Sequence, residues 1–284
     1  MAPAPIPILS SIADLAPASD AWIVDIWGVM HNGAHAFAAA GEACRRFRAA
    51  GGIVMLLSNA PRPFGAVIGH MTGLGVDEAA YDGGVTSGDA TRGMIQERRG
   101  QRLLHIGPER DKGLFTGLDV TLAPAEDAQA IICSGLYDDT RETPDSYAAL
   151  FDDLVGRGVP MICANPDLVV ERGNKLVYCA GALAAAYASK GGDVAYAGKP
   201  HLPIYERTFA AIDAVAGRHV PKDRILAIGD GLDTDLLGAY RAGLRSVLIA
   251  SAVHLPNGLS PAVLTELFQS RPQRPIAAMP ALAW

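Results

Sequence analysis

Four apolar runs in this chain each end in polar residues of a kind suited to phosphate chemistry: Asp25, Ser58-Asn59, Lys199, and Gly229-Asp230 followed by Asp235. A carboxylate such as Asp25, projecting from a strand end before the turn at Gly28, can attack phosphorus and form an aspartyl-phosphate, which splits one difficult displacement into two easier ones. Asp230 and Asp235 flank a glycine turn that opens a helix, and Asp233 between them is placed to cap it. Carboxylates gathered this closely repel one another and any phosphate unless a cation joins them. All-oxygen ligands with room for water and phosphate favour magnesium over zinc. Ser58 and Asn59 offer hydroxyl, amide and backbone donors for phosphate oxygens, although Ser-Asn near a proline is also ordinary turn chemistry. The Lys199 ammonium can offset charge as it develops on an attacked phosphoryl group.

The elements that must position these residues follow from periodicity. Strand-like runs alternate with helix-length segments, the pattern of a mostly parallel sheet covered by helices on both faces. Strands are expected over 22–27 and 52–58, with helices over 37–50 and 64–74 between and after them. Near residue 83 the texture changes: Asp82-Gly83-Gly84 reads as a hinge, and Thr86-Ser87-Gly88-Asp89 as the cap of a helix running to about Arg98. Runs at 102–106, 130–134 and 159–163, with a helix over 144–157, make a second α/β unit. The later runs, 194–197, 225–229 and 246–250, again lead to polar residues beyond their C-terminal ends, where ligands bind in open α/β sheets. The expected organisation is therefore a core of residues 1–82 and 184–284, interrupted by a cap domain of residues 83–183.

The 284 residues carry a formal charge of −6 and 19% charged side chains, with no long Lys/Arg cluster beyond Arg98-Arg99, which argues against nucleic acid or an anionic membrane as partner. No apolar run approaches membrane-spanning length. Residues 1–20 lack a basic start and a continuous apolar stretch, so a cytoplasmic protein is expected. Cys44, Cys133, Cys163 and Cys179 are widely spaced, as reduced core thiols would be.

Taken in order, these segments resemble the haloacid dehalogenase superfamily, specifically its class IIA phosphatases of the NagD and pyridoxal-phosphate phosphatase type. Particular to that branch are Gly-Asp-Gly-Leu-Asp-Thr-Asp at 229–235, Gly-Lys-Pro at 198–200 followed by Ile204-Tyr205, and Asn165-Pro166-Asp167 ahead of Gly181-Ala182. The resemblance implies a Rossmann-like core with a large inserted α/β cap. It further implies Asp25 as nucleophile and Mg²⁺ ligand, Asp230 and Asp235 as metal-site acids, and Trp27 as a metal ligand through its backbone carbonyl. Ser58, Asn59 and Lys199 would bind phosphate, and Asn165 and Asp167 would help select a small phosphorylated metabolite. Caps of this class often meet in dimers, so a homodimer is the implied assembly.

One position departs from the family pattern. Two residues after the nucleophile these phosphatases usually carry an aspartate that protonates the leaving oxygen and then activates water; here the residue is Trp27, and an indole offers neither acid nor base. Three readings follow: a phosphatase that favours good leaving groups or borrows a proton carrier such as His31; a different displacement such as dehalogenation; or a phosphometabolite-binding regulatory protein with little or no catalysis.

Overall fold

The computed structural model describes residues 4–172, 175–250, 255 and 258–284. In chain order the strands are β1 Ala21–Asp25, β2 Ile53–Ser58, β3 Gly83–Thr86, β4 Arg102–Ile106, β5 Thr121–Leu122, β6 Ala130–Cys133, β7 Met161–Cys163, β8 Val169–Arg172, β9 Lys175–Tyr178, β10 Val194–Tyr196, β11 Ile225–Gly229, β12 Arg245–Ile249 and β13 Ala277–Met279. The α-helices are α1 Ala38–Ala49, α2 Phe64–Gly73, α3 Ser87–Gln96, α4 Ala148–Gly156, α5 Ala180–Ser189, α6 Leu202–Ala216, α7 Leu237–Ala242 and α8 Pro261–Leu267. The chain is an α/β protein built as two compact units, one of residues 1–58, 68–85 and 200–284, the other of residues 59–67 and 86–199.

The first unit is a six-stranded sheet in the order β13-β12-β11-β1-β2-β3. The pairs from β13 through β2 are parallel, with Asp25 opposite Leu57 and Val24 opposite Ile228. β1 and β11 are buried along their whole lengths, as expected of central strands covered on both faces. Helix α1 turns Ala40, Ala43, Cys44 and Phe47 inward, and Phe47 stacks on Trp22 with ring centroids 3.9 Å apart. The chain order reverses between β1 and β11, and it is at such a switch point that a parallel sheet opens a crevice for ligands.

The second unit is a five-stranded parallel sheet in the order β10-β7-β6-β4-β5, with an antiparallel hairpin of β8 and β9. It repeats the same design, its chain order reversing between β4 and β6. Helix α3 begins with a reciprocal capping box in which Thr86 accepts from the Asp89 N–H and Asp89 accepts from the Thr86 N–H.

Two assignments made from the sequence change. Residues 184–199 pack with the second unit rather than the core: Leu183, Ala184 and Tyr187 of α5 are buried in its apolar cluster, and β10 pairs with β7. The sequence misleads here because Lys199 follows β10 as a functional residue would follow a core strand. Residues 83–86, expected to open the insertion, form β3 at the edge of the six-stranded sheet. No helix among the described residues is long and apolar enough to cross a membrane. All four cysteines are buried and none is in a disulfide among the described residues, and burial pushes the thiols of Cys44 and Cys133 up to about 12.

Candidate active site

Asp25 sits at the C-terminal end of β1 and is buried, its Oδ1 accepting the Ile26 N–H at 2.8 Å. Asp230 follows β11, and Asp235 lies one turn further on. One carboxylate oxygen from each of Asp25, Asp230 and Asp235 lies within 4.8 Å of the others, and all three residues are buried. Among the described residues, this is the only group of metal-ligating side chains that meets at such range.

Three glycines make the convergence possible. A Cβ on Gly28 would lie 2.3 Å from Asp230 Oδ2, and Gly28 is held at φ +84°, where a side chain is strained. Equivalent carbons on Gly229 and Gly231 would lie 2.3 Å from Asp235 Cγ and 2.9 Å from Asp235 Oδ2. The Gly231 N–H donates to Asp235 Oδ2 at 3.0 Å, and the Leu236 N–H reaches back five residues to the Gly231 carbonyl at 3.0 Å. The resulting π-helical turn, Leu232–Leu236, re-aims Asp235 toward Asp230. Tyr205 of α6 donates to the Asp235 carbonyl at 3.3 Å and packs where a side chain on Gly238 would be, so the turn is braced from behind. Asp233 does not cap this turn: it is exposed and paired with Arg271.

Three buried carboxylates in this space carry a repulsion that a hard divalent cation would relieve, and the all-oxygen donor set suits such an ion. Ser58 is buried at the end of β2, next to β1 in the sheet.

Trp27 stands on the loop that follows Asp25. Its indole lies over Gly33, where a Cβ would come within 2.2 Å of Cη2, and meets the His31 ring edge-on at 5.3 Å between centroids. The loop is tied by bonds from the Gly28 N–H to the His31 carbonyl at 2.8 Å and from the Phe37 N–H to the Met30 carbonyl at 2.8 Å. His31, considered as a proton carrier, is buried, and its Nδ1 accepts the Gly33 N–H at 3.1 Å. Burial, helped by the neighbouring His70, holds it neutral, down to about 4. It is a strut of the loop and too weak a base to relay protons near neutrality.

The second unit gathers Asn59, Asn165, Asp167 and Lys199. Asn59 Oδ1 accepts the Lys199 N–H at 2.7 Å, and its Nδ2 donates to the Lys199 carbonyl at 3.2 Å and to Asp167 Oδ1 at 2.9 Å. The side-chain amide is thus engaged in fixing the Lys199 backbone and Asp167; sequence gives no sign of this because the partners lie more than a hundred residues away. Lys199 is buried, and Gly198 beside it admits Asn59 Oδ1 and Pro166 Cδ within 2.6 Å of where a Cβ would be. Asn165 Oδ1 accepts the Asp167 N–H at 3.0 Å, forming the turn that sets Asp167 toward Asn59.

Comparison with known proteins bears on this arrangement. Residues 22–121 match the family described as haloacid dehalogenase-like hydrolase, and residues 196–270 match a family described as HAD-hydrolase-like. A solved haloacid dehalogenase-like hydrolase from Brucella suis 1330 is 45% identical, aligns over 97% of this chain and 100% of its own, and superposes with a TM-score of 0.87. The chain belongs to the haloacid dehalogenase-like hydrolases. The family matches together with the likeness to solved haloacid dehalogenase-like and 4-nitrophenylphosphatase structures place this chain in class IIA.

Two relatives carry names that specify an activity. A dihydroxyacetone phosphatase of Corynebacterium glutamicum (strain R) is 32% identical over 102 residues, 36% of this chain and 35% of that protein. A D-glycerol 3-phosphate phosphatase of Mycobacterium tuberculosis is 28% identical over 248 residues, 84% of this chain and 65% of its own length. A solved structure of the mycobacterial glycerol phosphate phosphatase in complex with magnesium shares the fold, with 22% identity over 94% of this chain and 76% of that one and a TM-score of 0.72. The chain thus spans about a third of the first relative and just under two thirds of the second.

Proposed function

We propose that the protein is a Mg²⁺-dependent phosphatase of small phosphate esters that works through an aspartyl-phosphate on Asp25. The observation that carries this reading is the buried meeting of Asp25, Asp230 and Asp235 beyond the ends of β1 and β11. The names of the two relatives support it.

Asp25, Asp230 and Asp235 would hold the ion, with the Trp27 carbonyl as a further ligand by the family pattern. When bound, the ion would neutralise the carboxylates and draw charge from the phosphate oxygens. Asp25 attacks phosphorus, the bond to the leaving oxygen breaks, and the phosphoryl group rests on the carboxylate. Water then cleaves the acyl phosphate and regenerates Asp25. By the family pattern Ser58 and Lys199 bind the phosphate, while Asn59 holds Lys199 and Asp167 in position. Asn165 and Asp167 contribute to the choice of substrate.

Proton transfer is where this chain differs. Trp27 supplies no proton and His31 is locked in its loop, so the leaving oxygen takes its proton from water. General acid–base help is worth roughly 10² to 10⁴ in rate. Turnover is therefore fastest on esters whose alcohol leaves readily. The buried acid cluster disfavours the two other readings, since neither dehalogenation nor simple phosphate binding calls for a full acidic metal site.

The test is a panel of phosphate esters, an activated aryl phosphate and several metabolite phosphates, assayed with and without Mg²⁺. Hydrolysis that requires the ion and disappears in Asp25→Asn supports the proposal. Inactivity across the panel rejects it.

A further inference from the structure

The five-stranded unit has a switch point of its own, between β4 and β6, and a cavity of ≈ 350 Å³ opens there. Its polar lining comes from the loops after those strands: Arg110 and Asp111 after β4, Ser134 and Asp139 after β6, with Asn165 after β7 and Arg62 from the segment 59–67. None of these except Asn165 has a place in the phosphoryl chemistry.

A buried hydrogen-bonded chain forms the cavity wall. His105 Nε2 and Ser134 Oγ are 2.9 Å apart, and Ser134 also bonds the Asp111 carboxyl; all three residues are buried. Burial holds Asp111 above the usual carboxylate range. Gly107 permits the approach, since a Cβ there would lie 2.0 Å from Ser134 Oγ and 2.7 Å from His105 Nε2.

The loops that carry these groups are fixed from outside. Arg92 donates to the Leu114 carbonyl at 2.8 Å and the Thr116 carbonyl at 2.9 Å, clamping the turn that bears Asp111. Thr86 Oγ1 donates to the Arg62 carbonyl at 2.7 Å, and a Cβ on Gly88 would meet the Arg62 backbone at 2.4 Å.

The charges do not cancel group by group. Arg110 is matched by Asp139 at 3.1 Å, Asp111 is engaged by Ser134, and Arg62, whose charge reaches Asp111 only through space, makes no ion pair of its own among the described residues. One cation beside hydroxyl and amide groups suits a single planar anion bearing hydroxyls. Two acids in the lining would repel a dianion such as a phosphate.

We propose that this cavity is a binding site for a small hydroxy carboxylate, its carboxylate on Arg62 and its hydroxyl on Ser134 and Asn165. The site lies within one unit and needs no turnover, so its failure and that of the phosphatase reading are separable.

The probe is D-glycerate, titrated calorimetrically into the intact protein, with glycerol as the neutral comparator. One-to-one binding with a Kd of about 1 mM or tighter is expected; Arg62→Gln, which removes a charge-assisted hydrogen bond, should weaken it about tenfold or more, and Ser134→Ala, which removes a neutral one, about fivefold. Thermal melts confirm that both variants fold. No saturable binding, equal affinity for glycerol, or binding that neither substitution weakens would overturn the assignment.

Discussion

Replacing Gly28 with alanine tests how the acid cluster is assembled. The new Cβ would sit 2.3 Å from Asp230 Oδ2, where ordinary contact is 3.4 Å or more, so the carboxylate must withdraw by roughly 1 Å. Metal sites tolerate ligand displacements of only about 0.2 Å. The substitution also carries backbone strain of about 1–2 kcal/mol, because residue 28 has φ +84°. Gly33→Ala separates the two effects: residue 33 has φ +83°, but its new carbon meets the Trp27 indole instead of an acid. Both variants should therefore melt lower by comparable amounts. Only Gly28→Ala should weaken Mg²⁺ binding, measured by calorimetry, and the expected loss is about tenfold or more, equivalent to one weakened ligand. Equal Mg²⁺ affinity in Gly28→Ala and Gly33→Ala would refute the idea that Gly28 exists to admit Asp230.

Three further outcomes are expected. Trp27→Asp should raise kcat on poor leaving groups by a larger factor than on an activated aryl phosphate, up to roughly 10² if the new acid works as a general acid; equal factors on both would show that proton transfer is not the step that Trp27 limits. Asn59→Ala removes three hydrogen bonds to Lys199 and Asp167 and should cost about 2–4 kcal/mol in urea unfolding; a loss below about 0.5 kcal/mol would show that Lys199 is held by other means. Burial lowers His105 to about 4, with Lys112 adding to the shift. Above pH 6.5 the residue is neutral in both folded and unfolded chains, and as pH falls from there toward 4 the unfolded chain alone takes up the proton. Stability should therefore fall across that window, by about 2–3 kcal/mol at pH 4.5. His105→Gln should flatten that slope relative to the wild type, and an unchanged slope would refute it.

The acid cluster was legible because β1 and β11 are continuous apolar runs that stop abruptly at a carboxylate, and a buried strand announces its end in that way. That both strands belong to one sheet could be inferred from the alternation of strands and helices, whereas the reversal of chain order that sets β11 beside β1 came from the fold. β10 was misplaced because Val194-Ala195-Tyr196 is a short, half-buried edge strand whose sequence does not say which sheet it joins. The partners of the Asn59 side chain went unread for a related reason: its amide looks like any strand-end donor until the fold brings Lys199 and Asp167 to it. Gly28 gave no signal beyond a turn, since the need for a missing side chain arises from Asp230, some two hundred residues on. The Asp111–Ser134–His105 chain was equally silent, its members being common residues spread over three loops and strands of a unit whose sheet order had not been read.

The account rests most directly on Asp25 as the nucleophile. Acid-quenched protein, taken during turnover of an aryl phosphate with Mg²⁺ and analysed by peptide mass spectrometry, should carry one phosphoryl group on Asp25, and Asp25→Asn should neither turn over nor become labelled. Phosphoryl transfer that persists in Asp25→Asn, or a label on any other residue, would contradict it.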